Sequence, residues 1–118
     1  MEWLKISTST ELVRVQTEDI AFIAADGNYS DLYLANGETR KLTFQLHFFE
    51  DSLKKLSEKS FVRVGRSIIV NKNYVHVINL GNQRLTLSGN HLKKDYELAV
   101  SKEALRQLKE TLEKEGKR

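Results

Sequence analysis

Short runs with a period of two dominate the chain. Leu12-Val13-Arg14-Val15, Leu32-Tyr33-Leu34, Phe61-Val62-Arg63-Val64 and Arg84-Leu85-Thr86-Leu87 all alternate, the pattern of strands with one face turned inward. Ile20-Ala21-Phe22-Ile23-Ala24 is apolar without a break, as a strand buried on both faces would be. Further runs follow at 67–70, 74–78 and 96–100. Gly and Asn stand side by side four times between these runs, at 27–28, 36–37, 81–82 and 89–90. Both residues take the positive φ of tight hairpins at low cost. Two stretches change period. Phe49, Leu53 and Leu56 predict a helix over 48–56, and Leu105, Leu108 and Leu112 another over 101–114. Ser101 is placed to cap the second, with Glu103 in its first turn. Residues 115–118 look like a frayed tail. The pattern predicts a mostly β domain with one short internal helix and a C-terminal helix.

Length and composition narrow the function. The chain has 118 residues and no cysteine or proline. One core is expected, spanning residues 1–118 as a single domain. Disulfide frameworks, thiol nucleophiles and Cys-ligated zinc are excluded. No apolar run approaches the ~20 residues that cross a bilayer, and the first residues lack a signal-peptide pattern. A cytoplasmic protein without membrane insertion is expected. Charge is uneven. Residues 1–60 hold 7 Lys/Arg and 10 Asp/Glu, whereas residues 61–118 hold 12 Lys/Arg and 6 Asp/Glu. A basic half fits a polyanion-binding surface, and equally a solvated helix and strands.

Little points to catalysis. His47, His76 and His91 are far apart in sequence, and none has the spacing of a zinc pair. Asp26 and Asp31 flank one loop, where solvated carboxylates are far commoner than a catalytic dyad. No phosphate-binding glycine loop is present. No enzyme activity and no cofactor are expected.

The densest chemistry lies in residues 61–75, FVRVGRSIIVNKNYV. Gly65-Arg66-Ser67 separates two apolar strand cores. Arg is shaped for guanine edges and phosphates, and Ser and Asn donate to phosphate oxygens. Alternation is taken to turn Arg63 away from the partners of Phe61, toward solvent or a ligand. Phe61, Ile69 and Val70 are expected in the core. Asn71 is expected to fix a loop through backbone hydrogen bonds.

This stretch resembles the signature of the LytTR (LytR/AlgR-type) DNA-binding domain, the output domain of many bacterial response regulators. In that family Phe-x-Arg-Ile/Val leads into His-Arg-Ser and then a strand ending Val-Asn. Ala25-Asp26-Gly27-Asn28-Tyr29, the helix with Phe49, Leu53 and Leu56, and Leu98-Ala99-Val100-Ser101-Lys102 resemble three further family segments in the same order. The resemblance covers roughly residues 8–112. It differs where Gly65 replaces the family His, implying a looser loop, and where Lys102 replaces the closing Arg, giving up fork-like pairing.

The resemblance implies an elongated, mostly antiparallel β fold and sequence-specific double-stranded DNA binding for transcription regulation, with loops rather than a helix entering the grooves. Carried over, Ser30, Arg66 and Lys102 are the base contacts. Asn28, Arg63, Ser67, Lys72, Lys93, Lys94 and Ser101 are the backbone contacts. The partners implied are duplex DNA, with dimers on tandem sites compatible with it, and a receiver domain or histidine-kinase pathway, although no receiver domain is expected within these residues. Two other classes stay open. One is a protein-interaction β-domain using Tyr29 and Tyr33. The other is a single-strand or RNA binder, which needs aromatics clustered on one open face.

Overall fold

The unbroken apolar run becomes the centre of the molecule. A computed structural model describes residues 2–115. Strand β3 (Ile20–Asp26) is the middle strand of a five-stranded sheet ordered β5-β4-β3-β7-β6, with β4 at Tyr29–Leu34, β5 at Thr39–Leu42, β6 at Phe61–Val64 and β7 at Ile68–Asn71. Residues Ile20 to Ile23 are all buried, Ala21 and Phe22 feeding one core and Ile20 and Ile23 the other. A two-stranded ribbon, β1 (Trp3–Ser7) and β2 (Leu12–Gln16), and helix α1 (Leu46–Lys54) cover one face. Leu4, Ile6, Phe49 and Leu53 form that core. The other face meets β8 (Val75–Asn79), β9 (Arg84–Leu87), β10 (Tyr96–Ala99) and helix α2 (Lys102–Glu115), through Leu85, Leu87, Leu105 and Leu108. Every strand pairing is antiparallel. The molecule extends 45 × 32 × 26 Å, so the expected elongated, mostly β fold is found.

Several expectations change in detail. Strands β1 and β5 were not anticipated; Thr39-Arg40-Lys41-Leu42 forms a polar edge strand with only Leu42 buried, so burial pattern carries little signal there. Helix α1 starts and ends two residues earlier than expected, and Leu56 falls in the turn behind it. Ile69 and Val70 are buried, but Phe61 is only half-buried because it opens edge strand β6. Ser101 caps α2 as expected, its Oγ accepting the Ala104 N–H at 3.3 Å. Glu115 is the last residue of α2 and not part of a tail; residues 116–118 lie outside the described residues.

Asn71 does what its position suggested. It is 1% exposed, and its Nδ2 donates to the carbonyls of Ile20 (3.1 Å) and Thr17 (3.4 Å). Its Oδ1 accepts the Asn73 N–H at 3.0 Å. One amide side chain thus satisfies backbone groups where β3 begins and β7 ends.

Candidate nucleic-acid interface

Antiparallel pairing decides which turns meet. Because β3 pairs with β7, the β3–β4 turn at Gly27-Asn28 and the β6–β7 turn at Gly65-Arg66-Ser67 lie at the same end of the central sheet. The Ala25 N–H donates to the Ser67 carbonyl at 2.8 Å and joins them. Gly65 has φ +66°, a left-handed conformation that glycine takes without strain. A Cβ placed on it would lie 3.5 Å from Ala104 Cβ, so the start of α2 abuts the same turn. The Val100 N–H donates to the Gln83 carbonyl at 3.2 Å and brings in the β8–β9 turn. Gln83, not Gly81, takes positive φ there, at 53°. Its carbonyl also accepts from Arg84 Nη1 at 3.2 Å. Backbone strain of this kind concentrates at functional surfaces. Four loops from separate parts of the chain therefore form one exposed end. A cleft of about 230 Å³ runs between residues 65–67 and Ser101, and a wider one of about 370 Å³ between residues 82–84 and Ser101.

Three exposed cations mark this end. Arg66, Arg84 and Lys102 are exposed, and none pairs with a carboxylate among the described residues. The acids nearby are occupied. Lys41 bridges Asp26 at 2.6 Å and Asp31 at 3.0 Å. Hydrogen bonds to Asp26 and then Asp31 raise its pKa above the ordinary lysine value. The two carboxylates first considered as a dyad are thus a lysine clamp on the hairpin. Asn28 accepts from Gln45 Nε2 at 3.1 Å, and its own amide N–H groups have no partner among the described residues.

Half of the residues carried over from the signature stand here: Asn28, Arg66, Ser67, Ser101 and Lys102. The others do not. Ser30 is fully buried, and its hydroxyl donates to the Phe44 carbonyl at 2.7 Å. Arg63 shares a face with Phe61, since residues two apart in a strand point the same way. It is turned toward α1, pairing with Glu50 at 3.0 Å, and not toward solvent. Lys72 follows the opposite end of β7 and pairs with Glu115 at 2.7 Å. Lys93 and Lys94 sit against Gly37, whose turn closes the far end of β4. Arg84 was not singled out. The Gly81-Asn82 mark located the turn, but only the pairing of Arg84 with Ala99 shows it near Ser101.

The LytTr DNA-binding domain family matches residues 10–113 of the chain. The chain belongs to this family. Its fold matches the LytTr DNA-binding domain of a protein from Bacillus cereus described as a methyl-accepting/DNA response regulator. The TM-score is 0.64 at 20% identity, covering 95% of this chain and 97% of that one. Comparison with curated proteins gives no match. For this LytTR domain, DNA binding in regulation is the family property. No helix among the described residues is long and apolar enough to cross a membrane. Among the same residues no group of three or more His, Asp or Glu could hold a metal ion.

Proposed function

We propose that this LytTR domain binds double-stranded DNA sequence-specifically, through the end formed by residues 27–28, 65–67, 82–84 and 101–102. It acts as a cytoplasmic output domain of a two-component response regulator. The observation that carries the reading is the convergence of four loops bearing Arg66, Arg84 and Lys102 with no carboxylate partner among the described residues. Arg66 is the base reader, because a guanidinium fork matches the O6 and N7 of guanine. Arg84 and Lys102 hold phosphates, together with Asn28, Ser67 and the capped start of α2. Exposed loops at one end suit entry into neighbouring grooves, with no helix used for reading.

The protein-interaction alternative gains no contiguous patch from the exposed large hydrophobics among the described residues. The exposed large hydrophobics, Leu12, Tyr29 and Val77, lie on three different sheets. Stacking on an open sheet fares no better, since Tyr33 is packed against Phe22 with ring centroids 4.2 Å apart. The test is titration of duplex DNA over a range of salt. Affinity is expected to fall with a log–log slope of about −0.9 per phosphate contact. Affinity that stays flat from low to moderate salt would refute an electrostatic DNA interface.

A further inference from the structure

Arg63 lies one strand position behind the candidate reading loop and touches two elements at once. Its Nη1 donates to Glu50 Oε1 of α1 at 3.0 Å, and its Nη2 to the carbonyl of Arg66 at 2.6 Å. Glu50 is itself approached by Lys54 at 3.7 Å. The Arg63 Nε is buried and has no partner among the described residues. An unpaired buried N–H is a cost to folding. A lysine would avoid that cost but could not reach both partners with a rigid planar fork. The turn it holds is built on Gly65 at positive φ, so glycine alone would leave it free to shift.

We propose that Arg63, held by Glu50, is a positioning residue for DNA reading: it fixes the Arg66 carbonyl and so sets where the Arg66 side chain meets a base. The inference rests on the proposed reading of this end as the DNA face. Base readout tolerates little displacement, whereas a phosphate can be met from many positions. Loss of the brace therefore lowers discrimination between sequences and leaves non-specific binding intact. A cavity of about 270 Å³ beside Arg63, lined by Leu53, Phe61 and Ile69, gives a replacement side chain room without repacking the core.

The test compares Arg63→Met, Arg63→Lys and Glu50→Gln with the unaltered protein. Each is titrated against a selected duplex and a scrambled one at two salt concentrations. Amide hydrogen exchange at Ala25, whose N–H donates to the Ser67 carbonyl, is measured without DNA. Arg63→Met is expected to lose about tenfold in preference for the selected duplex, with the same affinity for the scrambled one and an unchanged salt slope. Arg63→Lys is expected to rescue little, and Glu50→Gln to move in the same direction by less. Exchange at Ala25 should quicken in all three. Should Arg63→Met fold poorly, Glu50→Gln leaves the arginine in place and still reports on the brace. Equal losses on both duplexes, with a slope reduced by about one and restored by Arg63→Lys, would make Arg63 a phosphate contact and overturn the proposal. Unchanged preference and unchanged exchange in folded variants would overturn it too. If the unaltered protein binds neither duplex, the DNA reading fails, while exchange still decides whether Arg63 orders the turn.

Discussion

The two ends of the central sheet look alike in sequence and differ in structure. Each has a Gly-Asn turn and basic residues: Gly27-Asn28 with Arg66 and Lys102 at one end, Asn36-Gly37 with Lys72, Lys93 and Lys94 at the other. At the first end Arg66, Arg84 and Lys102 have no carboxylate partner among the described residues. At the second, Lys72 is mostly covered and paired with Glu115, and the Lys94 ammonium lies 5.4 Å over the ring of Tyr96. Lys93 donates its backbone N–H to the Ala35 carbonyl and so fastens the long β9–β10 connection, while its exposed ammonium, like that of Lys94, has no carboxylate partner among the described residues. The second end is a structural seam, where Asn71 and Tyr74 also bond to backbone carbonyls at and just before the start of β3. Basic density in a sequence does not make a polyanion site; the fold decides which loops, and so which cations, converge.

The comparison can be broken most strongly at the scaffold that both ends share. Phe49 is fully buried, and Phe49→Ala is expected to cost about 3–5 kcal/mol in denaturant unfolding. Phe61→Ala should cost clearly less, because Phe61 is half-buried; equal losses would contradict the edge placement of β6. At the seam, Asn71→Ala should remove about 1–3 kcal/mol of stability by orphaning buried carbonyls. Folded Asn71→Ala should keep its DNA affinity, and a matching loss of affinity would mean that the two ends are not separable. At the reading end the pattern reverses. Arg66→Ala should leave melting unchanged and cost about 1–3 kcal/mol on a selected duplex, far less on a scrambled one. Equal losses on both would make Arg66 a phosphate contact. The smallest effect is expected of Ser30→Ala, about 0.5–1.5 kcal/mol of stability from the lost bond to Phe44, with sequence preference intact. A changed preference would restore Ser30 as a reader.

Most of the fold was legible because burial imposes a period. Ile20–Ile23, Phe61–Val64 and Leu105 with Leu108 announce a central strand, an edge hairpin and a helix face. Strand β5 was not legible, since a polar edge strand buries almost nothing. The site was legible only in part. The signature placed Arg66 and Ser67, but a chain pattern says nothing about which side chains are consumed by the fold. Ser30 sits in the right hairpin and is buried because its strand position faces inward. Arg63 was misplaced by a slip in strand parity, and Lys72 by the unseen approach of Glu115. Arg84 needed the register of β9 against β10, which only the folded chain supplies.

The central claim is that the DNA face is the end where the loops carrying Arg66, Arg84 and Lys102 converge. Two double variants test it directly by the salt dependence of binding to one duplex. Arg66→Ala with Arg84→Ala should flatten the log–log slope by about two, whereas Lys93→Ala with Lys94→Ala should leave it unchanged. The reverse outcome, with the slope flattened by the Lys93 and Lys94 pair and retained without Arg66 and Arg84, would place the interface at the seam and contradict the account.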